Sequence, residues 1–211
     1  MPATLPFTID AGRLTTLQDD ATTLWHQDLA PLAEVAVPTP ESIALLLHRA
    51  NFDLWHAEDR ARDPKAADAA IVQEKHNIDR FNQQRNDLVE TFDRLLLDAL
   101  QPLHLPNPAA PLSSETPGLM LDRLSILALK IYHTREEVER GMHLDTSVPA
   151  GHAERNRQRL ALLLEQRGDL AGCLNELWRQ VLSGERRFKL YCQMKMYNDP
   201  TLNPVLYGKS S

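Results

Sequence analysis

Cysteine and glycine are scarce in this 211-residue chain, and each shortage excludes a class of protein. The two cysteines, Cys173 and Cys192, cannot build a disulfide framework, and no Cys-x-x-Cys pair indicates zinc or redox chemistry. With only 8 glycines, the chain has no Walker A loop, no Gly-x-Gly-x-x-Gly loop and no Gly-x-Ser-x-Gly elbow. Neither a phosphate-cradling loop nor an acyl-transfer serine is therefore predicted.

A long apolar run is also missing. A helix that crosses a bilayer needs about 20 apolar residues, whereas the most apolar stretch, 119–132, contains Asp122, Arg123 and Lys130. The first residues show no basic region followed by an apolar one, so no secretory signal is predicted. Together with the sparse cysteines, these features predict a cytoplasmic protein with no membrane span.

Basic charge is in deficit. The chain has 23 Lys and Arg against 29 Asp and Glu, a net charge of −6, and it contains no basic run. Proteins that bind nucleic acids neutralise phosphates with a basic face, so nucleic acid is not an expected partner. A composition of 43% hydrophobic and 25% charged residues is typical of a globular domain.

The 14 prolines separate stretches rich in Leu, Ala, Arg, Gln and Glu, which favour helix. Thr39-Pro40 and Thr116-Pro117 have the form of an N-cap followed by proline at the first helical position. Candidate helix ends are the glycines that follow helical patterns, Gly141, Gly168 and Gly184. The pattern predicts helices at 10–25, 40–62, 66–100, 117–140, 151–166 and 169–183.

We therefore expect an all-α, single-domain helical bundle of about six helices over 1–211. Residues 1–38 would form an N-terminal helix and loop, 39–207 the helical core and 208–211 a tail, with a proline-rich linker at 102–111 and the C-terminal apolar residues docked on the body. Residues 187–197 alternate apolar and polar side chains, which is typical of a strand. Because no partner strand is evident and Lys, Gln and Met favour helix, helix is preferred there and strand stays open.

Polar side chains occupy positions on three predicted helices where the period calls for core residues. In 66–100, Lys75, Asn82 and Arg85 share the seam of the apolar residues, and Asp79 and Asn86 lie one position further round. In 40–62 the polar side chains form a stripe about 100° from the apolar one. In 117–140 they interrupt the most apolar helix, where an unpaired charge costs several kcal/mol. The candidate residues are Asn51, Trp55, Glu58, Asp59, Arg62, Lys75, Asp79, Asn82, Arg85, Asn86, Asp122 and Lys130.

Two interpretations of these residues stay open. In the structural one, the acidic and basic members pair from helix to helix in a salt-bridge network. In the functional one, they line a cleft that binds a polar or anionic small molecule, with the indole of Trp55 as a stacking wall.

Metal binding has little support in the sequence. Asp87 and Glu90, three apart on one predicted helix, could hold a divalent cation with Glu58 and Asp59, but such pairs are common on solvated helices. No cofactor is predicted.

Among the 8 histidines, only His56 in His-Ala-Glu matches part of a zinc-deaminase motif, and its Pro-Cys-x-x-Cys half is absent. His133, near the end of an apolar helix, is predicted to be a core-edge residue.

Four segments are distinctive: NFDLWHAEDRAR at 51–62, KHNIDRFNQQRNDLVE at 75–90, GLMLDRLSILALKIY at 118–132 and YCQMKMYNDP at 191–200. Through them the chain resembles the bacterial family catalogued as domain of unknown function 4254, over about 42–207. The resemblance implies genes placed near those of glycosyltransferases, and hence a role in surface-glycan or lipopolysaccharide assembly. It supplies no catalytic residues.

We therefore expect a binding or accessory protein of glycan assembly, with a polar cleft formed by 51–62, 75–90 and 122–130. A glycosyltransferase or a glycan-precursor small molecule is the expected partner. Two alternatives remain: an enzyme acting on a phosphorylated or nucleotide-activated substrate, with or without a divalent metal, and a structural scaffold with a buried salt-bridge network. The sequence leaves open whether the chain is an enzyme and whether it forms a homo-oligomer.

Overall fold

The computed structural model describes residues 5–28, 37–142, 148–194 and 201. Within them the chain forms α1 (Ala11–His26), α2 (Pro40–Ala61), α3 (Asp68–Leu100), α4 (Pro117–Arg140) and α5 (His152–Leu182), with a 3₁₀ turn at Gln101–Leu103. These described ranges contain no β-strand. The prediction of an all-helical fold is confirmed for this part of the chain.

Side-chain caps begin three of the helices. The carboxylate of Asp10 accepts the backbone N–H groups of Gly12 and Arg13 at the start of α1. Thr39 and Ser42 form a reciprocal capping box at the start of α2, with Pro40 in the first turn. Thr116 caps α4 in the same way as Thr39 caps α2, through its hydroxyl. Both predicted Thr-Pro helix starts are therefore confirmed.

Two of the three predicted glycine stops are confirmed and one is wrong. Gly141 is the C-cap of α4, and Gly184 follows the end of α5 with a positive φ of 74°. Gly168 lies inside α5, because the buried stripe of Leu163, Leu170 and Leu174 continues past it and holds the helix together. The described chain consequently has five α-helices instead of about six.

The helix preferred for 187–197 is wrong for its described part, 187–194. Arg187 forms an isolated parallel bridge with Leu112, the residue directly after the proline-rich linker. The backbone N–H of Ser113 donates to the carbonyl of Arg187 at 2.7 Å, and the N–H of Arg187 donates to that of Pro111 at 3.0 Å. Residues 111–113, at the end of the linker, thus supply the backbone partner that the sequence did not reveal. Phe188, only 2% exposed, anchors the segment. Residues 195–197 and the predicted docked tail lie outside the described residues.

The helices pack as two pairs, and α1 contacts both of them. The most extensive contacts join α2 to α3 and α4 to α5, while α1 packs on α4, α2 and α5. The main core contains Leu47, Phe92, Leu96, Leu121 and Leu124, all fully buried. Burying such side chains contributes about 1.5–3 kcal/mol each, so this core holds the helices in fixed positions around the polar groups described below.

A second, smaller apolar cluster lies at the junction of α1, α2 and α4. It comprises Ala21, Trp25, Phe52 and Leu129, with Leu45 and Trp55 packed against it. Trp55 extends from this cluster into a cavity.

None of the helices in the described ranges combines the length and the apolar content needed to cross a bilayer.

Candidate functional site

A cavity of about 400 Å³ lies between α2, α3 and α4. Seven of the twelve predicted site residues line it, together with three apolar side chains from α2 and α4. The lining residues are Asn51, Leu54, Trp55, Glu58, Asp59, Arg62, Asn82, Arg85, Ile126 and Leu129. We call this cavity the polar cleft.

The floor of the polar cleft is a buried ion pair between α3 and α4. Arg85 donates from Nε and Nη2 to the two carboxylate oxygens of Asp122, both at 2.7 Å. The Asp122 side chain is 7% exposed and that of Arg85 is 26% exposed. Asn51 of α2 donates a further hydrogen bond to Asp122 at 2.9 Å. Asp122 thus lies beneath the cleft and fixes the direction of the Arg85 guanidinium.

A directional chain of hydrogen bonds continues from this floor into the core. The Thr22 hydroxyl donates to the carbonyl of Gln18 at 2.8 Å, so its oxygen accepts from Nε2 of His48 at 2.8 Å. Nδ1 of the neutral ring then accepts from the Ser125 hydroxyl at 2.8 Å. Ser125 accepts in turn from the side-chain amide of Asn51 at 3.0 Å. Helices α1, α2 and α4 are therefore connected to the cleft through paired polar groups.

His48 can play this part only as a neutral ring. Its side chain is fully buried, and the ring stacks on Trp25 with 5.3 Å between ring centres. Burial lowers the pKa of His48 from 6.5 to about 3. The ring is consequently uncharged at neutral pH, as the acceptor role of its Nδ1 requires.

The rim of the polar cleft carries groups with and without partners. Arg62 donates to the Glu58 carboxylate at 2.6 Å along α2. The side chains of Asp59 and Asn82 make no hydrogen bond or ion pair with the described residues. The charges that line the cleft, Glu58 and Asp59 against Arg62 and Arg85, cancel, and Asp122 below adds one negative charge. The cleft is therefore polar without being cationic.

The structure places four of the predicted residues outside the polar cleft. Lys75 and Asp79 form a pair along α3 at 2.8 Å with side chains 66% and 46% exposed. At this level α3 lies beside the last turn of α2, where Arg60 pairs with Glu74 at 2.9 Å. Asn86 is half-buried outside the cavity lining, and the exposed Lys130 lies in a groove between α4 and α5.

The charged residues follow the structural interpretation only in part. Arg85–Asp122 joins two helices, whereas Glu58–Arg62 and Lys75–Asp79 are pairs within one helix. The proposed oxygen ligands for a cation have protein partners as well. Asp87 accepts from the amide of Gln83 at 2.7 Å, and Glu90 accepts from the backbone N–H of Gln193 at 2.9 Å.

A second buried carboxyl group, Asp93 of α3, has a structural role away from the cleft. It accepts hydrogen bonds from the Thr116 hydroxyl and from the backbone N–H of Gly118, the latter at 2.7 Å. Burial raises its pKa from 3.8 to about 6, against the lowering effect of these two hydrogen bonds. Asp93 thereby fixes the first turn of α4, one turn before Asp122.

Sequence reasoning missed a cluster of histidines beside the polar cleft. Within the described part of the chain, His26, His56 and His133 form the one group of three His, Cys, Asp or Glu side chains whose potential ligand atoms lie within 4.8 Å of one another. His133 also stacks on Trp55, with ring centres 5.0 Å apart and planes at 12°. The prediction that His133 is merely a core-edge residue overlooked this contact. The available signal was a histidine near the C-terminal end of each of three helices.

His56 differs from an ordinary surface histidine. Burial lowers its pKa, and the neighbouring His26 and His133 lower it further. The ring also contacts Phe52 edge-on, at 4.5 Å between ring centres. These surroundings favour the uncharged ring.

A family model described as "Protein of unknown function (DUF4254)" matches residues 41–190. The match includes α3, α4, α5 and all of α2 after its first residue, and therefore every residue that lines the polar cleft. No curated protein and no solved structure matches the chain. The resemblance inferred from the sequence is thus confirmed, and the chain belongs to the DUF4254 family of proteins of unknown function.

Proposed function

We propose that the protein binds a polar, hydroxyl-rich small molecule, the sugar part of a glycan precursor, in the polar cleft. The observation that carries the proposal is the half-buried indole of Trp55 beside Asp59 and Asn82, whose side chains have no described hydrogen-bond partners. An aromatic wall with a few convergent polar groups is the usual composition of a small-molecule site. The cleft volume, about 400 Å³, also falls in the usual range for such sites.

The charge balance supports a neutral ligand group over a strongly anionic one. Arg62 and Arg85 are already paired with Glu58 and Asp122, and Asp59 would repel a phosphate placed on the rim. A sugar hydroxyl can instead donate to Asp59 or to the amide oxygen of Asn82, and its ring C–H groups can pack on the indole. The expectation of a polar or anionic ligand is therefore narrowed here to a polar, uncharged one.

The floor of the cleft supports binding by keeping its donors in place. Two hydrogen bonds to Asp122 fix the Arg85 guanidinium, so little conformational freedom is lost when a ligand contacts it. The cellular setting proposed for this binding is the cytoplasm, with a glycosyltransferase as partner. That part of the proposal depends on the setting implied by the family resemblance.

Calorimetric titration with a graded set of compounds tests the proposal. The set comprises methyl glycosides, UDP-sugars, UDP and inorganic phosphate. We expect UDP-sugars and the matching glycosides to bind, and UDP and phosphate to bind at least tenfold more weakly. Trp55→Leu should weaken binding about tenfold, which corresponds to about 1.4 kcal/mol. Tyr191→Leu, which removes an exposed aromatic side chain outside the cleft, is the matched control.

Two outcomes would contradict the proposal. One is equal binding of all phosphate-containing compounds with an affinity that falls steeply with salt, since this indicates an anion site. The other is binding of sugars that is unchanged in Trp55→Leu.

A further inference from the structure

The geometry points to a transition-metal site formed by His26, His56 and His133, with Zn²⁺ as the ion and one coordination position left open. This inference does not depend on the ligand proposed for the polar cleft. It rests on the placement of the rings, on their hydrogen bonds and on the buried nitrogen atoms that have no partner.

The placement of the rings matches a site with three imidazole ligands. The ring centres are 5.1 Å apart for His26–His56, 5.1 Å for His26–His133 and 5.8 Å for His56–His133. With a Zn–N bond of about 2.05 Å and a ring centre about 1.15 Å beyond the nitrogen, tetrahedral geometry places ring centres about 5.2 Å apart. The rings meet at angles of 70°, 75° and 83° and do not stack on one another. The potential ligand atoms lie within 4.8 Å of one another, so they must approach by at most about 1.5 Å to reach the about 3.3 Å between nitrogens on a tetrahedral zinc ion.

In the rings of His26 and His133, Nδ1 makes a hydrogen bond and Nε2 remains available to bind a metal ion. Nδ1 of His26 lies 2.8 Å from the carbonyl oxygen of Thr22, and Nδ1 of His133 lies 2.8 Å from the carboxylate of Glu136. Both oxygens can only accept, so both Nδ1 atoms donate and the neutral rings carry their lone pairs on Nε2. Metal-bound histidines are usually oriented by this kind of hydrogen bond from the other ring nitrogen to a carbonyl or carboxylate.

These Nε2 atoms are buried and make no hydrogen bond with the described residues. A buried acceptor without a partner is costly, and two of them directed into one small region call for a shared partner. A cation that accepts several lone pairs satisfies both atoms at once, together with His56.

The surrounding side chains hold the rings in position. Tyr132 stacks on His26 with ring centres 4.2 Å apart, and Trp55 stacks on His133 at 5.0 Å. Phe52 contacts both His26 and His56 edge-on. Each histidine therefore has an aromatic neighbour that restricts its rotation, as a preorganised site requires.

The ligand set selects the ion. Three imidazole nitrogens suit Zn²⁺ and the neighbouring transition metals, whereas Mg²⁺ and Ca²⁺ prefer oxygen ligands. Structural zinc sites use four protein ligands, whereas three protein ligands leave a position for water or substrate. The His133 side chain is 23% exposed although its Nε2 is buried, so the site lies close to the protein surface.

The test is metal binding by the full chain after treatment with a chelator. Calorimetric titration with zinc sulfate should show one equivalent per chain, and Co²⁺ should give the strong visible absorption of a tetrahedral complex. His56→Gln and His133→Gln should each lower zinc affinity at least about 100-fold. His76→Gln, an exposed histidine of α3, should bind like the unaltered protein. Glu136→Ala removes the hydrogen bond to His133 and should cost about 10- to 100-fold.

X-ray absorption spectroscopy of the zinc-loaded, unaltered protein identifies the atoms bound to zinc directly. This measurement needs no variant, so it remains informative if the histidine variants fail to fold. The expected first shell is three imidazole nitrogens and one oxygen. The inference is overturned by an absence of stoichiometric binding, by a shell containing sulfur from Cys173 or Cys192, or by unchanged affinity in folded His56→Gln. Binding of Mg²⁺ in preference to Zn²⁺ would overturn it as well.

Discussion

Replacing Arg85 with alanine is expected to destabilise the fold and not only the cleft. Asp122, whose side chain is 7% exposed, would lose both guanidinium hydrogen bonds and keep only that from Asn51. Removing one partner of a buried ion pair costs about 3–5 kcal/mol, because the remaining charge stays buried. Since the Arg85 side chain is 26% exposed, water can partly reach the vacated space. We therefore expect a loss at the lower end of this range, about 3 kcal/mol.

The assay is urea unfolding followed by far-ultraviolet circular dichroism, with the free energy of unfolding extrapolated to water. Lys75→Ala is the matched control. Lys75 also lies on α3 and pairs with an aspartate, Asp79, but this pair is exposed at the surface. An exposed pair four residues apart on a helix contributes about 0.3–0.5 kcal/mol. The two variants should therefore differ in free energy by about 2.5 kcal/mol.

The difference in unfolding free energy shows whether Arg85 stabilises the fold through its ion pair or serves mainly to contact a ligand. If Arg85→Ala lost no more stability than Lys75→Ala, the interpretation of Arg85–Asp122 as a floor that holds the helices would be refuted. Asp122→Asn is a second test of the ion pair. The new amide oxygen can still accept from Asn51, but the charge of Arg85 loses its partner. This variant should also be destabilised by more than Lys75→Ala.

Further predictions concern pH and the helix packing. The pKa of His48 is about 3 in the folded chain against 6.5 in the unfolded one, so its contribution to stability is present above pH 6.5 and is lost as the pH falls toward 3. The stability advantage of the unaltered protein over His48→Asn should shrink by about 1.4 kcal/mol per pH unit below 6.5, as measured by urea unfolding; an advantage independent of pH would contradict this. Gly118→Ala should destabilise by more than about 2 kcal/mol, because its Cβ would lie 2.6 Å from the carbonyl oxygen of Val89. Gly168→Ala, with no atom within 4 Å of the new Cβ, should stabilise by about 0.5–1 kcal/mol, and a loss of stability there would refute the packing described for α5.

The helices were largely predictable because their signals are local. A threonine followed by proline, as at Thr39 and Thr116, sets a helix start within four residues, and the structure has both. The helix end predicted at Gly168 was wrong because a glycine ends a helix only where the residues after it have no buried contacts that favour helix. Leu170 and Leu174 of α5 are buried, so the helix continues. The path of 187–194 depends on a backbone partner at 111–113, which no local pattern can indicate.

The candidate site was predictable where a charge faced a neighbouring helix. Periodicity gives the direction of a side chain but not what lies opposite it. Arg85 and Lys75 share one seam of α3, yet Arg85 meets Asp122 of α4 whereas Lys75 pairs with Asp79 of its own helix and remains exposed. The histidine cluster could not be found in this way, because His26, His56 and His133 come from three helices and no spacing relates them.

The indole N–H signals in a proton–nitrogen correlation spectrum provide the most direct test of the polar cleft. The chain has three tryptophans, and Trp25 and Trp178 are only 7% and 4% exposed, whereas Trp55 lines the cavity. Titration with a UDP-sugar should shift the signal of Trp55, assigned by its absence in Trp55→Phe, and leave that of Trp178 unchanged. No shift of the Trp55 signal at millimolar concentrations of every UDP-sugar tested would contradict the proposal that this cleft binds a sugar.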